Sequence, residues 1–582
     1  MRKAIALLCL LLMQAGTGTT RATDRTMEWN ALVDEYLEKA YFPENPTAAT
    51  AAGIHQYDGQ LEDYSREAAN EEIRTLHEYE SRVLQFPAGG LKEVDVADRQ
   101  ILLGVIRSEL LTLETIRPLE KNPDMYSSGI TNSVYVLINR KFSPASERLR
   151  SVIERESKMP EVLKVARQNL TEAPKVYTDI AIEQLPGIIG FFEKDVPSAF
   201  AEVKDVDLQK EFAKTNGTVI VALKEYETWL KTDLAFKSKG DFRIGAETFS
   251  KKLLYEDMVS TPLDQLLAIG VADLHRNQAE LKHVANEIDP KKKPTEVMKT
   301  LAVMHPAADQ LLLTFRGTFD GLIAFIEENK IITIPAGPKP IVQETPPFER
   351  ATTTASMDTP GPFETVARES YFNVTLPGTN DSKEEIDSLM AGFNIGTIVS
   401  TSTHETYPGH YMQYLWTPQA PSKLRKAFYA NTNSEGWAHY CEQMMLEEGY
   451  GQPGLGAKDA LEAKYIHLGQ LQDALLRDAR FVVGIQMHTG KMSFVQAKEY
   501  FVKEGYQSTK IAEIEAKRGT ADPTYLYYTL GKLQILKLRE DYKKKMGAGY
   551  TLQKFHDLFM SQGAPPIAVV REAMLGDGSP VL

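Results

Sequence analysis

LLAIGVADLHRNQAELKHVANEI, residues 266–288, returns an apolar residue every three or four positions. That is the spacing of a helix that buries one face. The same spacing joins Trp29, Leu32, Val33, Tyr36 and Leu37, at i, i+3, i+4, i+7 and i+8. Residues 26–115 are rich in Glu, Leu, Ala and Lys at helical spacing, and similar patterns recur from 146 to 330. This half of the chain predicts a set of antiparallel helices, and the fold class is mainly α. Asp289-Pro290 and Lys291-Lys292-Lys293-Pro294 mark a solvated loop.

Toward the C-terminus the composition changes. Seven prolines fall in the 28 residues from Pro335 to Pro362. Helix cannot persist there, because proline removes backbone donors and clashes with the preceding turn. Residues 335–363 therefore read as an extended connection. Tyr371, Phe372, Val374 and Thr375 favour a strand, which Pro377-Gly378 ends. Helical patterning then resumes and dominates to about residue 545. The predicted organisation is a leader over 1–22, a helical region over 23–334, the connection, and a second helical region over 364–582. No internal repeat is visible.

At the other end, MRKAIALLCLLLMQAGTGTTRA has the layout of a secretory signal peptide. Arg2 and Lys3 precede an apolar run of 12 residues, Ala4–Ala15, too short to span a bilayer comfortably. Cys9 follows Leu8, not the Gly or Ala that normally precedes a lipid-attachment cysteine, so that reading is discounted. Cleavage after Ala22 removes Arg2, Lys3 and Arg21 and takes the net charge from −13 to −16. Only Cys441 then remains, which excludes an intrachain disulfide although an oxidising compartment would permit one. No later segment is apolar for 18 residues, so no membrane span is expected in the mature chain. The predicted location is secreted or periplasmic.

With 582 residues the chain exceeds one ordinary domain. Its 43% hydrophobic and 25% charged residues are ordinary for a globular protein and exclude wholesale disorder. Neither a collagen-like glycine period nor a sustained heptad is present. A net charge of −13 argues against binding nucleic acid, which asks for a basic surface.

Five of the eleven histidines lie between His404 and His488: His404, His410, His439, His467 and His488. The excess points to STHETYPGHYMQ, residues 402–413. His-Glu followed by a second His is a zinc-hydrolase pattern, with the histidines usually at i and i+4 and the Glu as general base. Here the second histidine is at i+6. On a regular helix the two rings would then stand about 120° apart and could not share an ion. Pro408-Gly409 lies between them, and a kink or bulge there would return His410 to the face of His404. The third ligand comes from SEGWAHYCEQ, where Glu435, His439 and Glu442 sit at i, i+4 and i+7 on one helical face. Two histidines and a glutamate with an open fourth position form a catalytic zinc arrangement. Any one of these histidines alone reads as a packed or surface residue, and Trp437 reads as core.

These residues carry a family resemblance. HETYPGHYMQ and EGWAHYCE resemble the markers HExxPGHxxQ and EGWAxYxE of the bacterial family known as domain of unknown function 885, whose members look like zinc metallopeptidases of gluzincin type. NPTAATAAGIHQYDGQLEDYS and TPGPFE also match the family's style, so the likeness spans the mature chain. The resemblance implies a large helical metallopeptidase architecture with a small β element near the site. It implies one zinc ion per chain held by His404, His410 and Glu435, with Glu405 as the general base. Glu442 would orient a ligand histidine. His439 stands where relatives carry an apolar residue, and is open as an extra ligand, a supporting group or packing.

Two further stretches match. DARFVVGIQMHTGKMS aligns Arg480 and His488 with the family, but Gly484 stands where Asp is expected and Gln486 where Gly is. ADPTYLYYTLGKLQILKLR aligns Tyr528, Gly531 and Arg539 with the closing helix. His488 and Tyr528 are expected to stabilise an oxyanion, and Arg539 to bind a substrate carboxylate. The strand at Tyr371 is expected to pair with an extended substrate. The function implied is hydrolysis of a peptide or small amide outside the cytoplasm. A zinc hydrolase of another amide or an ester, or an impaired peptide-binding homologue, stays open beside it.

Overall fold

The computed structural model describes residues 25–346, 353–378 and 381–582. The predicted leader lies outside the described residues. Helix dominates, as the apolar spacing requires. Trp29, Leu32, Val33, Tyr36 and Leu37 are all buried, and they share a core with Val83, Leu102 and Ile106 of the helices Arg66–Gln85 and Glu93–Leu111. A neighbouring core gathers Tyr126, Ile130, Leu149, Phe192 and Leu223 from helices between Pro123 and Trp229. Among the described residues no helix is long and apolar enough to cross a membrane.

The helices that frame the site are α1 (Leu263–Ile288), α2 (Leu311–Glu328), α3 (Ile395–Glu405), α4 (His410–Trp416), α5 (Asn431–Glu447), α6 (Ala460–His488), α7 (Thr509–Ala521) and α8 (Tyr527–Met546). On α1 the buried positions include Leu266, Gly270, Leu274, Leu281, Val284 and Ala285. This stripe lies along α6, where Leu274 and Leu281 share a core with Leu468, Leu471 and Leu475. Asn394 caps α3 by accepting from the amides of Gly396 and Thr397, and Asp459 caps α6 by accepting from those of Leu461 and Glu462. A buried ion pair, Lys532 Nζ to Asp273 at 3.0 Å, ties α8 to α1.

The Pro-rich connection is not merely extended. It supplies β1 (Ile341–Glu344) and β2 (Ala355–Asp358), which flank β3 (Tyr371–Val374). β1 runs parallel to β3, pairing Ile341 with Tyr371, and β2 runs antiparallel, pairing Asp358 with Tyr371. Phe372 and Val374 face the core, where Phe315 of α2 meets the Phe372 ring edge-on at 5.1 Å. The division at residue 334 also fails as a boundary between cores. α2 and Ile331 share one core with the sheet, Tyr411, Trp437 and Phe555. Leu424 and Val569 belong to a core otherwise built by the N-terminal helices.

Candidate metal centre

α3 does not kink through Pro408-Gly409. It stops at Glu405, and α4 starts afresh at His410 with Gly409 as its N-cap residue. A methyl group on Gly409 would overlap the carbonyl oxygen of His404, so only glycine lets the chain turn this tightly against the end of α3. The Tyr407–Pro408 peptide is cis. Trp437 Nε1 donates to the Pro408 carbonyl at 2.8 Å and fastens the turn to α5. This tryptophan, read from sequence as core alone, thus also fixes the loop between the two histidines.

The outcome is the donor set the spacing suggested. The His404 and His410 rings stand 4.8 Å apart and nearly perpendicular. Glu435 Oε2 lies 3.4 Å from His404 Nε2 and 3.3 Å from His410 Nε2. One donor atom from each of the three residues falls within 4.8 Å of the others. Ligands about 2.0–2.2 Å from a tetrahedral zinc ion are themselves about 3.3–3.5 Å apart, so the two carboxylate distances match an ion's coordination shell. Glu435 Oε2 is buried and accepts no hydrogen bond, a costly state unless a cation takes its lone pairs. Two imidazoles and one carboxylate also suit zinc chemically. The residues present fit the ion.

Behind His404 stands a second carboxylate. Glu442 is fully buried, and its Oε1 lies 2.7 Å from His404 Nδ1. Donation from Nδ1–H to this oxygen fixes the tautomer that turns the Nε2 lone pair toward Glu435. Arg477 reaches Glu442 at 2.9 Å, and His439 Nδ1 lies 3.3 Å from Glu442 Oε2. Burial disfavours charge on Glu442, but Arg477 and His439 outweigh it and hold the carboxyl well below its usual range. Burial opposes charge on Glu435 too, and there His410 and His404 prevail. His439 is wholly buried with Nδ1 directed at Glu442, and it is not among the residues whose donor atoms converge.

Glu405 follows His404 at the end of α3. It is half-buried, and no side chain among the described residues pairs with it. Tyr528, in the first turn of α8, stacks at 6.4 Å on the His404 ring and accepts a hydrogen bond from Arg518 at 3.2 Å. Burial and then the charge of Glu435 push its hydroxyl upward.

Three expected residues are elsewhere. His488 is spent on backbone: its Nε2 lies 2.7 Å from the Gly519 carbonyl, and Nδ1 accepts from the Ile244 amide at 3.4 Å. With both ring nitrogens taken it cannot serve an oxyanion. Arg539 donates to Tyr440 and pairs with Glu447 at 3.5 Å, so it is structural. Tyr371 lies on β3, the middle strand, whose two edges are filled by β1 and β2. No substrate can pair there. Of the outer strands, β2 is the one that packs against α3. His467 is half-buried and faces the acids Glu280 and Glu287, away from the donor set. Gly484 and Gln486 are not among the residues whose donor atoms converge. Gly484 makes room for the Tyr525 ring.

The sequence reading missed Arg477, Arg518 and Tyr429. Tyr429, just before α5, is 70% exposed, and burial of its hydroxyl and then the charge of Glu435 push its pKa upward. Nothing in a motif marks these residues. They come near the donor set only once the helices are packed.

Comparison with known proteins agrees with this architecture. No curated protein matches the chain. A solved structure from Shewanella oneidensis, of unknown function and provisionally described as a lipoprotein, is 25% identical with a TM-score of 0.76. The match covers 94% of this chain and 98% of that one. A second, from Colwellia psychrerythraea and given the same provisional description, is 18% identical with a TM-score of 0.77, covering 96% and 98%. The profile of a family described as bacterial protein of unknown function, DUF885, matches residues 46–574. The chain belongs to that family.

Proposed function

We propose that the protein is an extracytoplasmic zinc-dependent hydrolase that cleaves peptide bonds. One observation carries the reading: His404, His410 and Glu435 bring three donor atoms within 4.8 Å of one another, and Glu405, adjacent to His404 in sequence, has no side-chain partner among the described residues. Zinc bound there would supply a water with a pKa near 7 and a polarising charge for the scissile carbonyl. Glu405 accepts the proton of the attacking water. The water oxygen bonds to the carbonyl carbon, the C–N bond breaks, and Glu405 hands its proton to the leaving amine. The Tyr528 hydroxyl donates to the carbonyl oxygen as charge grows there. Glu442 keeps the His404 ring in place throughout. The location rests on the leader-like residues 1–22 and on the lipoprotein description of both solved relatives.

The test is metal content by plasma mass spectrometry, followed by a screen of peptide, other amide and ester substrates. About one zinc per wild-type chain, lost in His404→Ala, is the expected result. Glu405→Gln is expected to keep the metal and lose turnover. Wild-type protein that takes up no zinc when it is supplied overturns the proposal. A metal-loaded protein that cleaves only esters or non-peptide amides transfers it to those substrates.

A further inference from the structure

The surroundings of Tyr528 add a substrate class to the hydrolase reading, and rest on it. Three guanidinium groups face the Tyr528 ring: Arg480 at 4.9 Å, Arg477 at 5.6 Å and Arg518 at 5.8 Å from its centre. Two of them are committed. Arg480 donates from Nε and Nη2 to the two oxygens of buried Glu515, at 2.6 and 2.8 Å. Arg477 is engaged by Glu442.

Arg518 differs. Its Nη2 donates to the Tyr528 and Tyr527 hydroxyls at 3.2 and 3.4 Å. Its nearest acid, Asp522, stands off at 3.6 Å and already accepts from the Tyr527 hydroxyl at 2.8 Å. Donors at Nε and Nη1 have no protein partner among the described residues, and the side chain is 38% exposed. A half-open guanidinium steadied by tyrosine hydroxyls is shaped to receive a carboxylate.

Its place gives that carboxylate a meaning. Tyr528 touches Arg518 with its hydroxyl and stacks on the ligand His404 with its ring. The open guanidinium is therefore one tyrosine away from the donor set. An extended peptide advances about 3.3–3.6 Å per residue, so one to three residues bridge a carbonyl at the metal and a carboxylate on Arg518. We infer that Arg518 receives the C-terminal carboxylate of the peptide substrate, which makes the protein a peptidase that removes one or a few residues from a free C-terminus. Arg539, the arginine the sequence offers for this role, is already paired with Tyr440 and Glu447.

Calorimetry on zinc-loaded Glu405→Gln protein tests this by binding alone. One peptide is titrated in three forms: free acid, C-terminal amide, and an amide whose last residue is Glu. The acid is expected to bind at least 10-fold more tightly than the plain amide. Adding Arg518→Met is expected to erase that difference, and Arg518→Lys to restore part of it. Equal affinity for acid and amide overturns the inference, and so does a Glu-ended amide that binds like the acid, since the carboxylate would then be a side chain's. Failure of every form to bind overturns it too. Wild-type protein that cleaves acid and amide equally well keeps the hydrolase and loses the anchor. Protein without zinc loses the hydrolase, while the acid-to-amide ratio in binding still judges Arg518.

Discussion

Glu442 is enclosed on every side, and its two oxygens serve His404, His439 and Arg477. A carboxylate so placed orients a ligand histidine and raises its basicity, and losing one typically costs 10–100-fold in metal affinity. Glu442→Gln is therefore expected to weaken zinc binding about 10- to 100-fold without unfolding the protein, read by competition with a chelator. Undiminished affinity would show that the ring is held by packing alone. Another carboxyl contributes to pH dependence in a different core. Glu156 is wholly buried in the N-terminal half, accepts one hydrogen bond from Thr215, and is pushed by desolvation from 4.5 to about 8. The folded protein then binds this proton more tightly than the unfolded chain does. Its contribution to stability is full below pH 4.5 and is lost as pH rises toward 8. Glu156→Gln removes the titration, so the variant is expected to gain on wild type between pH 5 and pH 9, by at most about 1.4 kcal/mol per pH unit inside that window. Melting temperatures of both proteins at the two pH values check this, and a constant difference refutes it. At this scale the sequence was partly legible. His404, His410 and Glu435 stood out because ligand chemistry needs those types close together. Arg477 did not, because its link to Glu442 spans 35 positions and follows no period. The family resemblance misplaced His488, since a matching stretch of sequence says nothing of which way each side chain turns.

Elements place the ligands through two devices. Helix α5 has no capping side chain of its own at its N-cap residue. Asp257, at the end of the helix Gly245–Asp257, accepts from both the amide and the hydroxyl of Thr432, at 3.0 and 2.6 Å. Its charge also opposes the partial positive charge at that helix end. Asp257→Ala leaves two buried donors unpaired and is expected to cost about 1–3 kcal/mol, measurable in denaturant melts. Further along, α5 crosses α8 at Gly436 and Gly531, where a Cβ on Gly436 would come within 2.5 Å of the Gly531 Cα. Gly436→Ala must push the two backbones apart, at about 1–3 kcal/mol or more. Because Glu435 is the adjacent residue, zinc occupancy is expected to fall together with the melting temperature. A variant that loses stability but keeps full occupancy would separate the crossing from the site. Helical stretches were readable from their apolar period. β1 and β2 were not, because the proline density masked them. The prolines flank those strands and do not interrupt them: Pro340 precedes β1, and Pro360 and Pro362 follow β2.

For the whole molecule, the decisive fact is that the cores do not respect the division the composition suggested. Phe315, Phe319 and Ile331 lie on the far side of that division, yet they share a core with Phe372, Tyr411 and Trp437. A fragment comprising residues 364–582 is expected to be insoluble or molten and to take up no zinc, whereas the full chain is expected to fold and to take up about one ion. A soluble, zinc-loaded fragment would show that the C-terminal region folds by itself. Composition reported a change of local conformation near residue 335. It could not report which surfaces meet, since Leu424 and Val569 look like any other apolar residues until they are found among the N-terminal helices.

The glycine contact between α5 and α8 has a consequence for how the protein could adapt. Two backbones already touching leave no room for a side chain between them, so positions 436 and 531 are closed to substitution beside Glu435. New specificity has to come from side chains outside the crossing, such as the partly exposed Arg518. Laboratory selection for new substrates should therefore collect its changes at such side chains and leave Gly436 and Gly531 untouched.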